Sequence, residues 1–265
     1  MLLRNPFAKA LWDFRRSLIG WALAIGGVSL LYTSYYPSVS QPSMVEALRN
    51  YPEGLKKAFN MQDVASPAGY LGSSVFGLLV PVLLAVFLIV AGSRAVAGDE
   101  ESGVLDLVLA HPVSRTRLLL SRLAALIVVV LVVAAVVFLL ILSVAGQAKV
   151  SSIGAGRLAA ASAQLAAFGI CMLALTLAVG AATGRRSAAV GAGTVVAVLG
   201  YFANNLAPQV HGLAWAQRLS PFYYYLHGQP LVNGLQPVDC LILLGAAAVF
   251  TGFGLASFRR RDVAV

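Results

Sequence analysis

Six stretches without a charged residue limit most strongly what this chain can fold into. They cover residues 17–36, 71–93, 123–145, 158–183, 187–206 and 240–258. Each has 19 to 26 residues, and a helix needs roughly 20 to cross a hydrocarbon core of about 30 Å. Only 11% of the 265 residues are charged, which is too few to cover a water-soluble domain. The sequence therefore predicts an all-α membrane protein with six transmembrane helices, in a single domain over residues 1–265.

The distribution of basic residues predicts the orientation of the spans, because short cytoplasmic loops are enriched in Lys and Arg. With six spans both termini lie on one side, and thirteen of the nineteen Lys and Arg residues fall on that side. We therefore expect both termini to be cytoplasmic. The net charge of +9 then reflects topology and an attraction to anionic membrane lipid, so nucleic acid is not an expected partner.

The segment before the first span has an amphipathic pattern. Asn5 suits the cap of a helix and Pro6 suits its first position. Apolar residues follow at helical spacing, with basic residues on the opposite face. Residues 1–16 are thus predicted to hold a short helix on the inner membrane surface. The alternative is an extension of the first span.

Two outer loops also carry patterns. In residues 37–70, apolar residues keep close to helical spacing on both sides of Pro52, which predicts two short amphipathic helices at the outer surface. Residues 207–238 are dense in aromatic side chains around Ser220 and Pro221. Such density is typical of an interfacial or re-entrant segment.

Small residues recur at four-residue spacing around the inner end of the fifth span. They are Gly180, Gly184, Ala188 and Ala192. Helices in lipid associate through close packing of small residues, so this spacing predicts that Gly184→Leu or Ala188→Leu disturbs assembly more than a Leu→Ile change at a lipid-facing position. Chance recurrence in a chain rich in Gly and Ala is the alternative.

Several kinds of chemistry have no motif in this chain. No phosphate-binding GxxxxGK[ST] loop occurs. A membrane metalloprotease pattern EExxxR starting at Glu100 would need Arg where Leu105 stands, and no GxSG serine motif is present. Cys171 and Cys240 are not spaced as metal ligands or as a disulfide framework. These reaction classes are therefore set aside, and we expect no catalytic, cofactor-binding or metal-binding residues.

The inner loop over residues 94–122 carries the richest pattern. Three acidic residues, Asp99, Glu100 and Glu101, suit the start of a short helix, where the helix dipole favours negative charge. Leu105 and Leu109 belong to the apolar stripe of that helix.

The end of the same loop predicts a turn and a second helix. Pro112 ends the first helix, and Ser114 can cap the next one, which begins with Arg115 and leads into the third span. Two interpretations follow from these patterns. The loop is either a docking element for a soluble partner or a solvated turn whose arginines obey the positive-inside rule.

Four short motifs resemble those of one transporter family. They are EESGVLDLVLAHPVSR at 100–115, GRRSAAVGA at 184–192, LSPFYY at 219–224 and FRRRDV at 258–263. Together they resemble ABC-2 type permeases, the membrane subunits of bacterial ABC exporters. The resemblance covers the whole chain, and the first motif is the most specific.

The resemblance implies a non-catalytic permease of the bacterial cytoplasmic membrane that pairs with a second permease, as a homodimer or heterodimer. A separate cytoplasmic ATP-binding subunit would use ATP and Mg²⁺ and bind the loop at 94–122. The residues implied in this coupling are Asp99, Glu100, Glu101, Gly103, Leu105 and Leu109 in the coupling helix, with Pro112, Ser114 and Arg115 in the turn behind it. An ion-coupled secondary transporter or a channel remains the alternative. Its ion path usually needs ionisable residues inside the spans, and the six stretches hold none.

Overall fold

The computed structural model describes residues 5–58, 63–103 and 114–261, and these residues form helices and turns but no strand. In chain order the helices are α1 (Pro6–Val39), α2 (Pro42–Arg49), α3 (Glu53–Ala58), α4 (Pro67–Glu101), α5 (Arg115–Val144), α6 (Ala155–Thr183), α7 (Arg186–Leu206), α8 (Pro221–Leu226), α9 (Pro230–Asn233) and α10 (Pro237–Arg260). Six of them, α1, α4, α5, α6, α7 and α10, are long and apolar enough to cross a membrane. The predicted all-α fold with six spans is confirmed.

Helix α6 forms the centre of the bundle. Of its most apolar 18-residue stretch, 78% is buried, against 17% for α7 and 22% for α1 and α10. The outer helices instead expose large apolar side chains such as Leu199, Leu241 and Leu23. Exposed apolar faces of this kind suit a lipid environment, in which helices pack through small residues rather than through apolar bulk.

Glycines let three neighbours approach α6 closely. A Cβ atom added to Gly254 of α10 would lie 2.7 Å from the Cα atom of Ala178. A Cβ atom added to Gly92 of α4 or Gly193 of α7 would collide with the Thr176 side chain. Close backbone approach through glycine is the packing mode expected of membrane helices.

The bundle has two distinct ends. We call the end that holds Asp99, Arg186 and Arg261 the charged end, and the end that holds Phe222 and Tyr225 the aromatic end. Each of the six long helices runs from one end to the other, so α1, α5 and α7 start at the charged end and α4, α6 and α10 start at the aromatic end. The cytoplasmic position of the charged end stays a prediction.

The first helix joins two segments that the sequence pattern separated. Residues 6–16 and the first span form the single 34-residue helix α1, which corresponds to the alternative of an extended span. Asn5 caps α1 as predicted, since its side chain accepts a hydrogen bond from the N–H of Phe7 at 3.1 Å. Pro6 occupies the first helical position, where its missing N–H costs nothing.

The loop predicted at 37–70 contains the two expected short helices. The helices α2 and α3 lie on either side of Pro52. They do not form one continuous helix, because a proline in the middle of a helix breaks it. Their position at a membrane surface stays a prediction.

The aromatic loop at 207–238 folds back onto the bundle. Phe222 and Tyr225 are fully buried, and their rings lie 4.7 Å and 5.2 Å from the ring of Phe168 in α6, measured between centroids. The Ser220 hydroxyl donates to the Gly200 carbonyl at 2.7 Å and so anchors this segment to α7. These two side chains pack inside the protein, and the interfacial or re-entrant position of the segment stays a prediction.

Tyr225 also compensates an irregularity in α4. The turn Val75–Leu79 is π-helical, so the N–H of Val80 donates to Val75 rather than to Phe76. The next residue that could reach the Phe76 carbonyl is Pro81, which has no N–H. The Tyr225 hydroxyl donates to this carbonyl at 2.8 Å. A side chain from the aromatic loop thus replaces the missing backbone donor.

The four small residues do not lie on one helix, and the effect of replacing Gly184 or Ala188 stays a prediction. Gly184 ends α6 in a left-handed conformation, with φ of +67°, so Gly180 and Ala188 belong to different helices. The residues of α7 that are buried are instead Ala189, Gly193 and Gly200. A four-residue spacing indicates one helix face only where no turn interrupts it.

Candidate functional site

The acidic residues of the predicted coupling loop end a helix instead of starting one. Asp99, Glu100 and Glu101 form the last turn of α4, and Gly103 follows with φ of +70°. The predicted helix start at this point is therefore wrong. Negative charge at a helix C-terminus is unfavourable by about 0.3–1 kcal/mol per residue. These carboxylates consequently need partners, and each of the three binds a different helix.

Asp99 binds Arg122 of α5. The Arg122 guanidinium lies 2.5 Å from the carboxylate of Asp99 and also donates to the carbonyl of Ala95. That carbonyl lies in the second π-helical turn of α4, Arg94–Gly98, where the N–H of Asp99 donates to Val96 instead. Arg122 therefore neutralises the charge of Asp99. It also supplies a donor to the Ala95 carbonyl, which lacks its usual backbone donor within α4.

Glu100 binds the end of α10. Its carboxylate pairs with the guanidinium of Arg261, and the side chain of Glu100 is only 5% exposed. Arg115, the first residue of α5, donates to the carbonyl of Phe258 at 3.1 Å and to the carbonyl of Arg261. The last turn of α10 is thus bound to both α4 and α5.

Glu101 binds the start of α7. Its carboxylate accepts a hydrogen bond from the N–H of Arg186 at 2.7 Å. The first N–H groups of a helix lack partners within the helix, and negative charge is favourable there. A side chain of α4 therefore caps another helix, 85 residues further along the chain.

The turn between α6 and α7 fits closely against this cluster. A Cβ atom added to Gly184 would lie 2.7 Å from the Glu100 carboxylate and would collide with the Arg261 side chain. Because Gly184 also has a positive φ, other residues would be strained there. We call Asp99, Glu100, Glu101, Arg115, Arg122, Arg261 and the Arg186 N–H the charged cluster.

The structure brings together part of the predicted site. Asp99, Glu100, Glu101 and Arg115 lie in the charged cluster. Ser114 caps α5 as predicted, because its hydroxyl accepts a hydrogen bond from the N–H of Arg117 at 3.3 Å. Three predicted coupling residues lie outside the described residues. They are Leu105, Leu109 and Pro112.

Sequence reasoning did not assign Arg122, Arg186 and Arg261 to this site. A signal was present, since Arg186 belongs to the GRRSAAVGA motif and Arg261 to the FRRRDV motif. Three of the four motifs that carried the family resemblance meet in one cluster. Their convergence at one end of the bundle links residues that are up to 161 positions apart.

The contacts within the cluster are ion pairs, hydrogen bonds to carbonyls and a helix cap. Among the residues that the structure describes, no group of three or more His, Cys, Asp or Glu side chains could hold a metal ion. Each carboxylate oxygen that makes a contact here faces an arginine or a backbone N–H.

A comparison with known families decides the class of protein. A family model described as "Multidrug efflux system permease Rv1217c, C-terminal domain" matches residues 3–259. The chain belongs to this permease family. No curated protein matches the chain.

The permease is accordingly a transport protein with several membrane spans. The family match extends over all six long helices and includes the whole charged cluster except Arg261. The cluster therefore belongs to a permease. It ties together the ends of α4, α5, α7 and α10, which are four of the six spans.

Proposed function

We propose that the permease is the transmembrane subunit of an ATP-driven ABC exporter of the ABC-2 type, in the bacterial cytoplasmic membrane. It forms the translocation path with a second permease chain and is surrounded by membrane lipid. A separate cytoplasmic ATP-binding subunit hydrolyses ATP with Mg²⁺ and docks on the loop at 94–122. The permease itself is not an enzyme and binds no cofactor.

The observation that carries this proposal is the convergence of three motif segments in the charged cluster of an efflux permease. The loop at 94–122 begins in the last turn of α4 and ends in α5. A partner that pulled on this loop would act directly on Asp99 and Arg115. Through Arg261 and the Arg186 N–H, the same force would reach α10 and α7.

The arrangement also revises how the loop would meet its partner. The carboxylates of Glu100 and Asp99 are already paired with arginines of the same chain. They therefore organise the end of the bundle, and the apolar residues Leu105 and Leu109 are left as the docking contacts. Removing a buried leucine side chain costs about 2–5 kcal/mol, while one exposed ion pair contributes at most about 1 kcal/mol.

The ion-coupled alternative is less well supported. A proton or ion path through a membrane protein usually uses ionisable residues in its spans. The six charge-free stretches contain no acidic or basic residue, and the charged cluster lies at one end of the bundle.

The test is co-purification of the ATP-binding subunit with the permease variant Leu105→Asp. We expect the subunit to be lost, or its substrate-stimulated hydrolysis to be uncoupled from transport. Leu213→Asp is the matched control, because Leu213 is 48% exposed in the aromatic loop and its replacement should leave the complex intact. Normal assembly and normal coupling in Leu105→Asp would contradict the proposal.

A second measurement tests whether ATP or an ion gradient drives transport. Inverted membrane vesicles that contain the complex should transport substrate when ATP is added, with or without an ion gradient. Transport that stops when the gradient is collapsed, and that continues without ATP, would establish the ion-coupled alternative instead.

A further inference from the structure

Two adjoining cavities open at the aromatic end of the bundle. The smaller one, which we call the slot, has a volume of about 130 Å³ and lies between α4, α8 and α9. The larger one, which we call the bowl, has a volume of about 660 Å³ and lies between α7 and the aromatic loop. Leu226 and Gln229 line both cavities, so the slot opens beside the bowl.

The slot is apolar, with a single charge at its mouth. Phe76, Tyr225 and Leu231 form its buried walls. Asp63 also lines the slot and is exposed, which places it on the solvent side. Among the described residues that line either cavity, Asp63 is the only acidic or basic one apart from His227.

The charge of Asp63 has no basic partner among the described residues. Its carboxylate accepts a hydrogen bond from the Ser66 hydroxyl at 2.5 Å. The ion pairs of the described chain join other residues. An unpaired carboxylate beside aromatic walls attracts cations, both by its charge and through the ring faces.

The two volumes limit the shape of a ligand. A cavity of about 150 Å³ in an apolar protein core holds one benzene molecule. The slot is close to this size, which limits its occupant to one small ring or one short branched alkyl group. The bowl lies within the range of roughly 300–1,000 Å³ that is typical of ligand sites.

The bowl offers hydrogen bonds rather than charge. Its walls include the amide side chains of Asn204, Asn205 and Gln217, and His227 stacks on Tyr223 with ring centroids 4.5 Å apart. Such groups orient a polar ligand without requiring it to carry a charge in the bowl.

We propose that the slot and bowl together bind an amphipathic organic cation, with one apolar group in the slot, the positive charge near Asp63 and the remainder in the bowl. This inference rests on the proposed function and assigns the substrate class and its site at the aromatic end. Gln229, which separates the two cavities, holds a left-handed backbone conformation with φ of +48°, a strained arrangement that often marks a ligand site.

The experiment measures equilibrium binding of radiolabelled tetraphenylphosphonium to the purified full-length chain in detergent. Asp63→Asn should weaken binding by about fivefold, which is the scale of one partly exposed ion pair. The control Glu46→Gln removes an acidic group that is also exposed but lines neither cavity. It should bind like the wild type.

A second pair of variants tests the slot itself. Gly72 lines the slot, and a Cβ atom added there would lie 3.9 Å from Leu231, so a larger side chain enters the cavity. Gly72→Leu should weaken binding by about tenfold or more, since a phenyl ring loses its buried position. Gly252→Leu is the control, because nothing lies within 4 Å of a Cβ atom added to Gly252.

Several outcomes would overturn the inference. These are absence of binding to the wild type, equal weakening by Glu46→Gln and Asp63→Asn, and full competition by neutral triphenylphosphine oxide at the same concentration. If Asp63→Asn and Gly72→Leu bind normally while ATP-driven efflux continues, the site is wrong and the proposed function stands. If binding follows the prediction but ATP drives no efflux, the site stands and the proposed function fails.

Discussion

Removing the hydroxyl of Tyr225 is the sharpest test of how the aromatic end is held together. The substitution Tyr225→Phe keeps the ring, which is fully buried against Phe168. It removes only the donor to the Phe76 carbonyl at 2.8 Å. Burial raises the pKa of the Tyr225 phenol well above its usual range, so this group stays protonated and remains a donor at any physiological pH.

The loss of stability caused by Tyr225→Phe depends on whether another donor can reach the Phe76 carbonyl. In soluble proteins a buried acceptor left without a donor costs about 1–3 kcal/mol. Side-chain hydrogen bonds in a membrane protein contribute only about 0.6 kcal/mol on average, with a maximum near 1.7 kcal/mol. The contribution is small because the same groups also find hydrogen-bond partners in the unfolded state within the membrane. At Phe76 the N–H of Val80 is already committed and Pro81 has none. We therefore expect a loss near the upper limit, about 1.5 kcal/mol.

The assay is reversible unfolding of the purified permease in mixed micelles with increasing fractions of sodium dodecyl sulfate, followed by circular dichroism. Tyr224→Phe is the matched control, since Tyr224 lies on the same short helix and its hydroxyl makes no hydrogen bond with the described residues. The control should change the free energy of unfolding by less than about 0.5 kcal/mol. Equal effects of the two substitutions would refute the role assigned to Tyr225.

Three further predictions concern the charged end, the helix packing and the topology. Glu100→Gln should destabilise the permease by about 1–3 kcal/mol in the same unfolding assay, because it leaves a partly buried arginine unpaired. Gly193→Leu should cost about 1–3 kcal/mol by overpacking, whereas Gly191→Leu should be neutral, since its added Cβ atom meets nothing within 4 Å. Single cysteines at the exposed positions Gln147 and Thr183, in a cysteine-free background, should react with an impermeant reagent from opposite sides of the membrane. Labelling of both from outside would contradict six spans with cytoplasmic termini.

The six spans could be predicted because the absence of charge is a property of each stretch alone. A helix in lipid satisfies its own backbone hydrogen bonds, so length and composition suffice to identify it. The central position of α6 could not be predicted in this way. It depends on which helices approach closely, and Gly92, Gly193 and Gly254 lie on other helices, far from their contacts in the sequence.

The end of α4 was predicted incorrectly, because it depends on a partner from another helix. The sequence pattern ended the second span at residue 93, because Arg94 is charged, and placed a new helix at Asp99. The helix α4 instead continues to Glu101, since Arg122 neutralises Asp99 and supplies a donor to Ala95. A partner 23 residues away in the sequence thus decides where the helix stops, and no local pattern contains that information.

The same limit applies to the charged cluster. Sequence motifs identified the acidic turn, the basic turn before α7 and the basic end of α10 as separate features. Their meeting requires α4, α7 and α10 all to pack against α6. The predicted apolar docking residues Leu105 and Leu109 lie outside the described residues, so their role stays a prediction.

Helix α4 connects the two sites proposed for this permease. Each of its two π-helical turns frees a carbonyl, and each carbonyl is bound by a side chain from another element, Phe76 by Tyr225 and Ala95 by Arg122. The first of these bonds joins two walls of the slot, and the second lies beside Asp99, where the loop that we propose as the docking site of an ATP-binding subunit begins. A displacement of α4 along its axis must therefore either carry both partners with it or change the hydrogen bonding of a π-turn. Under the proposed function, a movement that starts at the charged end and breaks the bond between Tyr225 and Phe76 would change the shape of the slot, and α4 would thereby couple the two ends of the permease.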